Sequence, residues 1–308
     1  FDVGVQKRGE RHLLRFSVGV INDSFVPSEN AGLVAKGFEF LNSIINRPVL
    51  EDGAFKKTYV EQEKQNLKNS IEALINDKMS YSIERLIRVM CEDEKYSRYV
   101  HGNVEDLERI DAISLYKAYR DVIESSPLDI FVVGDVGGMD IEEIVRGSLD
   151  LNKRAIKAIP KPIIKRTVKE PKEHIESLDI NQGKLNLGFR TGVTPSSEDY
   201  YALAVCSSVF GGGPHSKLFI NVREKASLAY YAFSQVESFK GLMFVGAGID
   251  FDNYNMALDI IKEQFEDLKD GKITEKEIDA SKKIITGSMK GIKDQPGRII
   301  NYYLGHVI

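Results

Sequence analysis

Gly211-Gly212-Gly213-Pro214-His215-Ser216-Lys217-Leu218-Phe219 leads into Val222-Arg223-Glu224-Lys225 and then Leu228-Ala229-Tyr230. The apolar run from Tyr200 to Phe210 is long enough for a helix, and the three glycines with the following proline stop it. A phosphate cradle would need the Gly-Lys-Ser/Thr ending of a P-loop, which this loop lacks. His215 therefore reads as a loop histidine. Ser216 to Lys225 has the spacing of a short helix. Leu228 to Glu237 and Gly241 to Ile249 read as a hairpin, and Asn253 to Leu268 as a helix. Upstream, Leu185 to Phe189 alternates as a strand.

The first half repeats this theme. Phe1 to Val20 reads as two alternating strands joined at Lys7-Arg8-Gly9-Glu10. Val34 to Ile45 is apolar at helical spacing and stops before Arg47-Pro48. A long helix is expected from about Ala54, with Val60, Leu67, Ile71, Leu74 and Ile75 in one stripe. Further helices are expected over Ser82 to Met90 and Asp111 to Ile123, and a buried strand over Leu128 to Asp135. Sliding the chain by 218 residues pairs Asp52-Gly53 with Asp270-Gly271, Val60 with Ile278, Leu67 with Ile285, Ile71 with Met289 and Leu74 with Ile292. An apolar stripe kept in phase at a fixed offset points to duplication. Between the halves, residues 152–178 open with a run of lysine and arginine interrupted by Pro160, Pro162 and Pro171, the composition of an exposed basic linker. The expected organisation is a first domain over 1–151, that linker, and a second domain over 179–308.

Composition narrows the function. Hydrophobic residues make up 42% and charged residues 29%, which is globular and excludes global disorder. Forty-two basic against 46 acidic residues leave a net charge of −4. No large cationic field is available, so neither nucleic acid nor a membrane surface is an expected partner. Cys91 and Cys206 are too far apart for a CxxC metal knuckle, and two cysteines make no disulfide framework. A reducing, cytoplasmic setting is the expectation. The chain opens mid-strand and stops inside an apolar helical run, which reads as a fragment trimmed at both ends.

The glycine loop with its following LF, VREK and LAY elements resembles the signature of the family that contains pitrilysin, insulin-degrading enzyme and mitochondrial processing peptidase. Val60-Glu61-Gln62-Glu63-Lys64 and Asp77-Lys78-Met79-Ser80-Tyr81 are similar to a bacterial branch of non-catalytic homologues within it. The resemblance implies an α+β fold of two homologous domains, each a mostly antiparallel sheet with helices on one face, the first truncated at its N-terminus. Peptide-cutting members hold zinc with an HxxEH helix and a glutamate from a later helix. None of His12, His101, His174, His215 or His306 belongs to an HxxEH. On the later helix Glu63 matches the first of two family glutamates, and the ligand position seven residues on is Ser70. A serine hydroxyl cannot replace that carboxylate, and Asn69 and Glu72 point elsewhere. Ser70 is expected on the inner side of its helix, with no metal in this chain.

Arg223 and Tyr230 match the arginine and tyrosine that the family sends from this domain to the substrate backbone and the oxyanion, and donor chemistry suits both roles. Gly211, Gly212 and Gly213 match its substrate loop. The edge of the hairpin strand Tyr230 to Glu237 offers a place for an extended peptide. The resemblance thus implies a non-catalytic subunit that binds unfolded peptide and completes the zinc site of an HxxEH-containing partner. The alternatives are an active zinc peptidase whose HxxEH lies upstream, and a peptide-binding scaffold without catalytic role.

Overall fold

The computed structural model describes residues 1–151 and 154–308. Strands β1 (Asp2–Arg8) and β2 (Arg11–Ser17) form the expected hairpin, turning at Gly9 with φ +53°. Helix α1 (Leu33–Asn46) stops at Arg47-Pro48. The next helix starts three residues later than expected, because Ala54–Phe55 (β4) pairs with Leu50–Glu51 (β3) across Asp52-Gly53, both at positive φ. α2 (Lys57–Ala73) and α3 (Lys78–Met90) follow, α3 capped by the Asp77 carboxylate accepting from Met79 N and Ser80 N. α4 (Val104–Leu107), α5 (Ala112–Ser125) and α6 (Ile141–Ser148) complete the first half.

Leu128 to Asp135 is not the buried strand its composition suggests. It is irregular, and Leu128 and Ile130 are exposed. A strand needs a neighbour to share its ladder bonds, and none of the described strands pairs with this run.

The second half holds a three-stranded antiparallel sheet of β5 (Gly183–Arg190), β6 (Ala229–Glu237) and β7 (Leu242–Ile249), in the order β5-β7-β6. Helix α7 (Tyr200–Gly211), a π-helical segment (Phe219–Lys225) and α8 (Tyr254–Lys269) cover one face. The main core lies there, with Phe210, Leu218, Val222, Val245, Ala247, Ala257 and Ile261 fully buried. The other face receives α3 from the first half: Ile87, Cys91 and Tyr96 pack on Leu242 and Phe244. α9 (Glu275–Lys290) and α10 (Pro296–Val307) close the chain, α9 through a Thr274–Glu277 capping box and α10 with Pro296 in its first turn. The architecture is α+β with antiparallel sheets, as expected. α2 and α9 start at Lys57 and Glu275, α3 and α10 at Lys78 and Pro296, and both pairs are 218 residues apart. Among the described residues, no helix is long and apolar enough to cross a membrane.

The halves are tied together by buried charge. Lys240, fully buried in the β6–β7 turn, pairs with Glu10 at the tip of the first hairpin and with Glu94 at 2.6 Å, and donates to the Ile163 carbonyl at 2.9 Å. Glu94 also pairs with Arg190 and, at 3.3 Å, with Arg166. Burial works against ionisation of Glu94, but hydrogen bonds from Arg190 and Lys240 outweigh it and hold the carboxyl below the ordinary glutamate value. Residues 154–178 form no helix or strand and are mostly exposed, and they are strapped down by Arg166 pairing with Glu94 and by Lys172 pairing with Glu92 at 2.9 Å. Residues 152 and 153, the expected start of the linker, lie outside the described residues.

Candidate functional site

The glycine loop positions everything after it. At Gly211 a methyl group would lie 2.6 Å from the Phe233 carbonyl carbon and closer still to Ser234 N, so only glycine lets the end of α7 rest on β6. Ser234 Oγ fixes the contact by donating to the Ser207 carbonyl at 2.7 Å. Gly213 takes φ +150° and turns the chain so that His215 Nε2 meets Ser281 Oγ of α9 at 2.9 Å. The loop is thus pinned between α7 and α9, and His215, expected only as a loop residue, is its pin.

From there the chain enters the π-helical segment. Ser216 Oγ caps it by accepting from Phe219 N, and buried Leu218 and Val222 anchor it in the core. Asn221 Nδ2 donates to Gln264 Oε1 of α8 at 2.6 Å. The wide i→i+5 turn ends where Ala226 N donates to the Asn221 carbonyl at 3.3 Å, and Ser227 at φ +54° redirects the backbone into β6. Such segments are rare and frequent at functional sites.

This local geometry displays both predicted side chains. The Arg223 side chain is 41% exposed, its guanidinium carbon 4.6 Å from the centre of the Phe219 ring and its Nε 3.9 Å from Glu224. Tyr230 is the extra residue of a β-bulge, 61% exposed, with its hydroxyl donating to Asp250 Oδ1 at 3.3 Å. Bulges re-aim a side chain, and here the phenol turns outward instead of into the sheet. Arg223 and Tyr230 leave one short stretch of backbone, yet among the described residues they share no partner. Neither is consumed by the core. β6 lies at the edge of its sheet.

The zinc-helix positions read differently from expectation. Glu63 is exposed and accepts from Asn66 Nδ2 at 3.4 Å. Ser70 is exposed as well, not on the inner side of α2, and its hydroxyl donates back to the Asn66 carbonyl at 2.9 Å. The reason is phase: the covered side runs through Val60, Lys64, Leu67 and Ile71, and positions 63 and 70 fall together beside it. Two exposed side chains, one of them a back-bonded hydroxyl, do not make a zinc site. Among the described residues, no three His, Cys, Asp or Glu side chains converge as a ligand set.

Sequence reasoning missed Asp250, the partner of Tyr230, and the Lys240–Glu94 cluster. No local signal marks either, because each depends on residues brought together only by the sheet.

The family model of the peptidase M16 inactive domain matches residues 109–285, more than half of the chain. The chain belongs to the M16 peptidase family. It is an inactive-domain homologue there, and the glycine loop, Arg223 and Tyr230 fall inside the matched residues. It is 42% identical over 279 residues to the protein named probable inactive metalloprotease YmfF of Bacillus subtilis, covering 91% of this chain and 65% of that one. To the protein of the same organism named uncharacterized zinc protease YmxG it is 26% identical over 254 residues, covering 78% and 59%. The chain therefore spans less than two thirds of each of these M16 relatives. Among solved structures, a conserved protein from Enterococcus faecalis V583 matches with a TM-score of 0.89 and 32% identity, over 99% of this chain and 72% of that one.

Proposed function

We propose that this chain is a non-catalytic M16 subunit that binds an unfolded peptide and completes the active site of an HxxEH-containing partner. The observation that carries this reading is the contrast between two helices. The α2 positions that would bind metal are a solvated glutamate and a back-bonded serine. The π-helical segment and the bulge after it keep a guanidinium and a phenol exposed at the start of an edge strand. A chain kept only as scaffold has no physical need for either donor outside the core.

In this reading the domains are 1–151 and 179–308 with the linker at 152–178, the setting is cytoplasmic, and zinc resides in the partner. The peptide adds to the free edge of β6, so main-chain hydrogen bonds supply affinity without sequence restriction. Arg223 and Tyr230 donate to the substrate backbone and to the oxyanion as negative charge develops. Such donors count most in a site closed to water. Gly211, Gly212 and Gly213 let the loop approach the peptide closely.

The test is reconstitution. Each chain alone should leave a flexible peptide uncut, the two together should cut it, and elemental analysis should find zinc only in the partner. Full activity from the partner alone contradicts the proposal.

A further inference from the structure

At the seam between the halves lies a cavity of about 340 Å³, walled by β1, α3, the segment 96–100 and the end of β6. Val5, Ile87 and Tyr99 give it apolar sides, and Lys7, Glu84 and Glu237 bring charges of both signs. These charges stand apart rather than in direct contact with one another. Lys7 Nζ donates to the carbonyls of Tyr96 at 2.6 Å and Arg98 at 2.7 Å and sits 4.2 Å from the centre of the Tyr96 ring. Glu84 is bound by Arg88 Nε at 3.3 Å, outside the lining. Glu237 accepts from Phe239 N at 3.2 Å and from the Tyr96 hydroxyl. Among the described residues, no ion pair within 4 Å joins Lys7 to either carboxylate. Burial lowers the Lys7 ammonium from its ordinary value and raises both carboxyls from theirs, although Arg88 and Lys7 act against that rise at Glu84, and Phe239 N, Arg8, Lys7 and the Tyr96 hydroxyl act against it at Glu237.

We propose that this cavity binds a small zwitterion with an apolar side chain, a free amino acid such as leucine or a dipeptide of such residues. The ligand carboxylate faces Lys7, its ammonium faces Glu84 and Glu237, and the side chain packs on Val5, Ile87 and Tyr99. A cavity of this size suits one or two residues, at the lower end of small-molecule pockets. A ligand whose own charges are separated can face Lys7 and the two glutamates at once, whereas one of a single sign meets a like charge on one wall. The proposal goes beyond the peptidase reading and does not rest on it.

The test is calorimetric titration of the wild-type chain at neutral pH with leucine, Leu-Leu, N-acetyl-leucine and leucinamide. Leucine, Leu-Leu or both should bind, and which of them does identifies the source. Blocking the amine or the carboxylate should weaken binding at least tenfold. Glu237→Gln should weaken it similarly, with unchanged circular dichroism to show that the fold survives, and the capped ligands probe the same contacts on the unaltered protein. Absence of binding by both zwitterions, or capped ligands binding as well as the free ones, overturns the proposal. So does a folded Glu237→Gln protein that binds as wild type does.

Discussion

At the scale of single residues, Gly211 shows how a backbone atom can decide a site. No side chain fits between the end of α7 and Ser234, so Gly211→Ala has to push helix and strand apart. Overpacking of this kind costs about 1–3 kcal/mol, and displacement of backbone places this case at the upper end. Chemical denaturation should show that loss. Gly271→Ala, with open space around it but φ +70°, should lose only the smaller cost of left-handed backbone. A Gly211→Ala protein as stable as wild type would show that the contact is loose. The triple glycine is legible as a helix stop and Leu228 to Glu237 as a strand, but the contact between them is not, because Ser234 lies across a loop and a π-helical turn from Gly211.

At the scale of elements, the strongest local signals were the reliable ones. The Gly9 turn, the stop at Arg47-Pro48 and the α2 stripe through Val60, Leu67 and Ile71 each rest on a few neighbouring residues and stand in the structure, whereas Leu74 and Ile75 fall beyond the end of α2 and Ile75 is exposed. Leu128 to Asp135 failed because apolar composition specifies burial and leaves open which strand supplies the partner. Ser70 failed for a smaller reason, since one residue of phase separates a packed helix flank from an open one. The bulge that turns Tyr230 outward was invisible, because it appears only when β6 is laid against β7. The capping box of α9 tests how far local chemistry holds the fold. Thr274 Oγ1 accepts from Glu277 N at 3.3 Å and Glu277 Oε2 accepts from Thr274 N at 2.8 Å. Thr274→Ala should lower stability by about 1 kcal/mol in thermal or chemical unfolding. A change below a few tenths would mean that tertiary contacts such as Lys217 with Glu277, at 3.0 Å, hold α9 without its cap.

At the scale of the whole molecule, the halves are joined by Lys240, Glu10, Glu94, Arg190 and Arg166. Removing one partner of a buried ion cluster costs about 3–5 kcal/mol, because the remaining charges are stranded. Lys240→Met should show that loss at neutral pH. The folded-state pKa of Glu94 lies below its unfolded value of about 4.3, so its contribution is present above that pH and is lost as pH falls through the folded value. The gap between wild type and Lys240→Met should therefore narrow on acidification below about pH 4. A gap that stays constant with pH would show that the lysine acts through packing alone.

The central claim is that this M16 homologue lends donors to a partner's chemistry, and one measurement reaches it most directly. The wild-type and Arg223→Ala chains are each assembled with the HxxEH-containing partner, and kcat/KM is measured on a flexible peptide. Loss of one oxyanion donor costs about 3 kcal/mol of transition-state stabilisation, a fall of roughly a hundredfold, with the assembled complex unchanged on gel filtration. Equal activity of the two complexes would contradict the claim.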